Sequence, residues 1–153
     1  MSSLELKIPP PLVGLSVGLL MWLASRAAPG FAWSTAGRTA AALLLVALGA
    51  GIVAAGVVSF VRAHTTANPL KPDAASSLVT TGIFRFTRNP MYLGLSVILL
   101  GWAVFLSNAV SLLLVPVFAL YMNRFQIGPE EKALAGIFGA AFAAYQAKVR
   151  RWL

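Results

Sequence analysis

The chain has four acidic residues, and two of them, Glu130 and Glu131, are adjacent. They come directly after an apolar run and are preceded by Gly128-Pro129. A proline followed by two carboxylates suits the first turn of a helix, where the macrodipole favours negative charge. Alternatively, one carboxylate at a membrane interface receives a cation. Both readings can hold, one for each member of the pair. Arg85 and Arg88 form a second charged cluster, and the default role of such a pair beside a membrane is to hold lipid phosphates. Asn89-Pro90 reads as a helix entry, with Asn89 as cap and Pro90 at the first helical position. Tyr92 reads as an interfacial aromatic. Cysteine is absent and His64 is the single histidine, which excludes a disulfide, a thiolate site and a histidine metal cluster, so no metal is expected. His64 itself reads as an interfacial loop residue.

The elements that must position these groups are apolar helices. Hydrophobic residues make up 59% of the 153 and charged residues 10%, against about 25% charged in a soluble domain. The composition predicts one all-α integral membrane domain, 1–153, with about four transmembrane helices and a C-terminal amphipathic helix. The spans are expected at about 12–28, 39–61, 91–106 and 109–125, with a loop over 62–90 and the amphipathic helix over 129–151. The first span reads as a retained helix rather than a secretory signal, because one Lys and one Glu precede it and a longer span follows. Pro116 is expected to interrupt the fourth span. Gly14-x-x-x-Gly18 and Gly49-Ala50-Gly51 are expected to permit close helix packing rather than to bind phosphate.

Ser107-Asn108 leaves room only for a tight turn, so the last two spans form a hairpin that returns the chain to the side it left. Arg88–Tyr92 and Glu130-Glu131 therefore share one face. With the N-terminus inside, Lys7, Arg62, Lys71, Arg85, Arg88, Arg124, Lys132, Lys148, Arg150 and Arg151 lie inside, and Arg26 and Arg38 outside. The positive-inside rule favours that orientation, with both termini cytoplasmic, and a bacterial inner membrane is the expected location. The net charge of +8 then reads the membrane surface and not nucleic acid.

On these residues the chain resembles the isoprenylcysteine carboxyl methyltransferase family and is similar to the related membrane phospholipid methyltransferases. The resemblance is carried by LVTTGIFRFTRNPMYLG over 78–94, by Glu130-Glu131-Lys132-Ala133-Leu134, and by Phe138-Gly139 with Phe142 and Tyr145, in that order, over roughly the second half of the chain. It implies methyl transfer from S-adenosylmethionine, with the cofactor enclosed on the cytoplasmic side. It implies cofactor contacts at Ser76, Ser77, Leu78, Val79, Phe84, Asn89, Pro90, Met91, Tyr92 and Glu130, with Glu130 pairing with the cofactor's ammonium. Glu131 is left to helix capping.

Two positions depart from the family's pattern. Asn89 stands where a histidine is more familiar, so no acid–base chemistry is expected there. The substrate-side arginine falls on Gln126, a weaker partner for a carboxylate than a guanidinium, and Arg124, half a turn away, is the candidate replacement. The expected acceptor is lipid-like or another membrane-partitioning small molecule, such as the carboxylate of a prenylated cysteine or a phospholipid amine. The competing class is a non-catalytic scaffold or transporter subunit that predicts no cofactor affinity. The oligomeric state is left open.

Overall fold

The computed structural model describes residues 5–27, 29–32, 34–64 and 76–153. Five α-helices follow one another there: α1 Pro10–Ala27, α2 Thr35–Arg62, α3 Pro90–Leu106, α4 Ala109–Met122 and α5 Gly128–Lys148. A 3₁₀ turn, Gly82–Arg85, precedes α3, and one π-helical turn, Asn123–Ile127, carries α4 into α5. Among the described residues there is no strand, only an isolated bridge between Gly30 and Asn108. The expected all-α architecture is therefore present. α1, α2 and the continuous run from α4 are long and apolar enough to cross a bilayer, and α3 is a shorter apolar helix. Leu15, Leu44, Leu113 and Leu120 point outward and are at least 65% exposed, which suits a lipid surround. This is an integral membrane protein. Residues 65–75, which include Lys71, together with Ala28 and Trp33, lie outside the described residues.

Local chemistry sets the ends. α2 begins four residues before its charge-free run because the Ser34 hydroxyl accepts the Gly37 N–H at 3.2 Å, satisfying one orphan donor of the first turn. Ser107, in the left-handed region at φ 51°, ends α3. Asn108 then starts α4, its Oδ1 accepting the N–H groups of Val110 and Ser111 at 3.0 and 3.2 Å. Pro116 does not interrupt α4, contrary to expectation. Its ring lies on the exposed face, so it costs one backbone bond without forcing a break.

α2 packs along α3 at glycine-to-glycine distance. A Cβ on Gly49 would stand 2.6 Å from the Gly94 carbonyl oxygen, and one on Gly94 would stand 2.6 Å from that of Gly49. Gly51 faces open space and takes no part. The Gly14-x-x-x-Gly18 expectation is also corrected: a Cβ at Gly14 would meet nothing within 4 Å, and one at Gly18 would make only ordinary contacts. These two glycines instead line an apolar groove of about 630 Å³, with Leu95, Ile98, Leu99 and Trp102 of α3 opposite and Val46 of α2 alongside. On its inner side α1 joins α3 and α4 around Val13, Met21, Tyr92, Leu99, Phe118, Met122 and Ile127.

α5 was expected as one helix to residue 151. It ends at Lys148 and bends at Gly139, where φ 48° and ψ −120° suit a residue without a Cβ. Its buried members are Phe142 and Tyr145, and the Tyr145 hydroxyl donates to the Phe84 carbonyl at 2.7 Å, docking the helix on the 3₁₀ turn.

Candidate functional site

The start of α3 and the start of α5 meet at the face that also carries the end of α2. Pro90 opens α3 as expected, but Asn89 makes no side-chain cap bond. Its amide donates to the Arg151 carbonyl at 2.9 Å, and its backbone N–H goes to Thr87 Oγ1 at 3.2 Å. One turn into the helix, Tyr92 is 5% exposed, and its hydroxyl donates to Glu130 Oε1. Tyr92 is thus a buried partner of Glu130 rather than an interfacial aromatic.

The two adjacent glutamates have different environments. Glu131 accepts from Arg88 Nη2 at 2.7 Å and from Arg151 Nη2 at 2.5 Å and Nε at 3.2 Å. Burial alone would raise its pKa, but the hydrogen bonds and charges of Arg151 and Arg88 outweigh this and hold the carboxyl below the usual range. Its side chain therefore serves ion pairing and not helix capping. Glu130 has no cationic partner among the described residues. Burial pushes its carboxyl up to about 8, the Glu131 charge adds to the rise, and the Tyr92 hydrogen bond works against it. Burial thus favours the neutral form of Glu130, and a positive charge beside it would favour the ionised one.

The remaining candidates lie between the end of α2 and the first turn of α3. Ser76 and Ser77 are tied to the end of α2, their hydroxyls donating to the His64 and Ala63 carbonyls at 3.4 and 3.2 Å. Leu78 is half-buried, Val79 is buried, and the buried Phe84 ring meets Phe60 of α2 edge-on at 5.1 Å. Met91 packs toward Gly56 of α2. Residues 76–92 thus run from the end of α2 to the first turn of α3, where Tyr92 meets Glu130.

The substrate-side candidates are otherwise engaged. Arg124 points outward, its side chain 63% exposed, pairs with Glu5 at 3.2 Å and lies over Phe125. Gln126 is fully buried in the π turn, where its amide donates to the Ile8 carbonyl at 2.6 Å and Oε1 has no partner among the described residues. Neither presents a free cation to an acceptor.

Two arginines matter more than the residue pattern suggested. Arg88 is no lipid anchor: its side chain is 12% exposed and its Nη1 donates to the carbonyls of Gln146 and Val149 at 3.3 and 2.6 Å. Arg151 had no assigned role. The available signal was the scarcity of acids, since each of the few carboxylates at this face has several possible basic partners. Among the described residues no cluster of His, Cys, Asp or Glu could hold a metal ion.

Comparison with known proteins bears on this geometry. The phospholipid methyltransferase family profile matches residues 37–141, which takes in nearly all of α2, the whole of α3 and α4, and α5 to just past its bend at Gly139. An uncharacterised protein of Haemophilus influenzae is 48% identical over 63 residues, 41% of this chain and all of that one. A protein-S-isoprenylcysteine O-methyltransferase of Schizosaccharomyces pombe is 39% identical over 75 residues, 47% of this chain and 30% of that protein. No solved structure gives a significant match.

Proposed function

Since the chain belongs to the phospholipid methyltransferase family, a membrane methyltransferase, we propose that it moves a methyl group from S-adenosylmethionine to a membrane-partitioning acceptor at the face bearing Tyr92 and Glu130. One observation carries the reading: of two adjacent carboxylates, Glu131 is saturated by two arginines while Glu130, beside a buried hydroxyl, has no cationic partner among the described residues. The cofactor's ammonium has the charge that Glu130 lacks, so the residues present fit the group. Glu130 would hold the ammonium and Tyr92 would orient the carboxylate that does so, with the strip from Ser76 to Phe84 flanking the bound nucleoside.

When bound, the cofactor supplies an electrophilic methyl on a sulfonium whose positive charge disappears as the bond breaks. The chain's part is to align the acceptor and exclude water, which supplies much of the rate in such displacements. No side chain here needs to titrate for a carboxylate acceptor. The acceptor's recognition is attributed to its apolar portion. Tyr92, Leu95, Leu99 and Trp102 fall on one stripe of α3 by helical spacing, and the groove walled by the last three lies along the stripe that begins at Tyr92. With Gln126 and Arg124 both engaged, neither offers a carboxylate acceptor a guanidinium clamp, which favours an acceptor recognised through its chain, such as a phospholipid amine. The ammonium of such an acceptor would first give a proton to water so that the nitrogen lone pair can displace the sulfide. The Lys/Arg distribution favours a cytoplasmic site face.

The test is calorimetric titration of S-adenosylmethionine and its demethylated product into detergent-purified protein, followed by labelled-methyl transfer to fractionated membrane lipids. Saturable binding lost in Glu130→Gln, with label in a lipid fraction, is expected. Folded wild-type protein that binds neither compound in detergent or nanodiscs overturns the reading in favour of a non-catalytic membrane protein.

A further inference from the structure

α5 reaches α3 through polar groups, and most of them belong to the last residues of the chain. Val149 leaves the helix in extended backbone at φ −123° and ψ 130°, and the segment after it crosses the entry of α3. There the Arg88 N–H donates to the Arg150 carbonyl at 3.0 Å. The Arg151 carbonyl accepts from Thr87 Oγ1 at 3.3 Å and from the Asn89 amide at 2.9 Å. Beyond them Trp152 Nε1 donates to Asn123 Oδ1 at 3.1 Å, back on the π turn. The segment is therefore pinned on both sides of the turn that carries Glu130: to residues 87–89 at one end and to residue 123 at the other.

Glu131 closes the ring. It takes the Arg151 guanidinium from the C-terminal segment and the Arg88 guanidinium from the α3 entry, and it is the sequence neighbour of Glu130. The Glu131 and Arg88 side chains are 14% and 12% exposed. A pair this far from water leaves an uncompensated charge if one member is removed, so it resists opening. The bend at Gly139 is what allows it, turning the second half of α5 so that the carbonyls of Gln146 and Val149 also reach Arg88.

We infer that Glu131, Arg88 and Arg151 act as positioning residues: they latch the C-terminal segment Val149–Trp152 across the start of α3 and so hold the first turn of α5, with Glu130, against Tyr92. The inference rests on the proposed role of Glu130 for its functional consequence, not for the latch itself. Without the latch, Glu130 keeps its identity but loses a fixed place, which weakens recognition of the cofactor's cation more than the transfer step. Asn89, which the family resemblance put against the cofactor, serves the latch with its amide.

The test compares Arg151→Ala, Arg151→Lys and Glu131→Gln with wild type, and uses Arg85→Ala, an exposed arginine outside the ring, as control. Each is measured for S-adenosylmethionine dissociation constant, for the KM against kcat split in methyl transfer, and for hydrogen exchange of residues 128–135. Arg151→Ala and Glu131→Gln are expected to weaken cofactor binding about ten- to thirtyfold and to speed exchange there, with kcat at saturating cofactor within about threefold of wild type. Arg151→Lys should recover part of the affinity, because the charge stays and the two-pronged contact goes. Unchanged affinity and unchanged exchange in folded Arg151→Ala protein overturn the latch. If wild type binds no cofactor, the functional reading fails and exchange alone decides: faster opening of 128–135 in Arg151→Ala but not in Arg85→Ala keeps the latch, and equal exchange removes it.

Discussion

Glu130 offers a quantitative prediction about pH. Burial holds its carboxyl at about 8, so near pH 7 it is mostly protonated and cannot pair with an ammonium. Binding the cofactor's cation requires the ionised form, so complex formation must expel that proton. Affinity should therefore rise about tenfold per pH unit from pH 6 toward 8 and level off above, following the ionised fraction. At pH 7 close to one proton should be released per cofactor bound, read as the difference in calorimetric heat between phosphate and Tris buffers. Glu130→Gln should bind weakly at every pH and release none. The same shift bears on stability with a definite sign. A carboxyl whose folded pKa is raised from 4.5 to about 8 keeps its proton longer folded than unfolded. Stability is then lost as pH rises from about 4.5 to about 8, by on the order of a few kcal/mol, and Glu130→Gln escapes that loss. Wild-type affinity that is flat from pH 6 to 8.5 would refute the argument, as would equal proton release by the variant.

Other consequences follow from packing. Gly94→Val places a Cβ 2.6 Å from the Gly49 carbonyl oxygen, forcing α2 off α3. It should cost roughly 3 kcal/mol or more and lower the thermal midpoint in detergent, whereas Gly51→Ala, facing open space, should leave it unchanged or slightly raised. Gly14→Phe fills the groove without a backbone clash; KM for a lipid acceptor should rise about tenfold while cofactor affinity holds, since the site itself is untouched. Asn108→Ala removes the cap of α4 and should destabilise by about 1 kcal/mol, seen as a lower midpoint with binding retained in the surviving folded fraction.

Much of this protein could be read from residue order. Apolar runs of spanning length dictate helices whatever they later pack against, because backbone groups in hydrocarbon must pair within their own segment. The Ser107-Asn108 turn, between two such runs, forces a hairpin, and the hairpin alone returns Glu130 to the face of Tyr92. Pairing partners were not legible. Nothing in the order of Glu130 and Glu131 says which carboxylate takes two arginines and which takes a tyrosine hydroxyl; that depends on a C-terminal segment leaving α5 at Val149 and on a bend at Gly139 that no apolar periodicity encodes. Gly14 and Gly49 look equally suited to close packing, yet one lines a groove and the other touches α3. The side facing each glycine is set by how α1 and α2 are rotated against α3. Local sequence thus determined which segments are helical and where the chain turns back, because those depend on a segment's own composition. Only the tertiary structure decided which charges are satisfied, because that depends on what distant segments bring within 3 Å of one another.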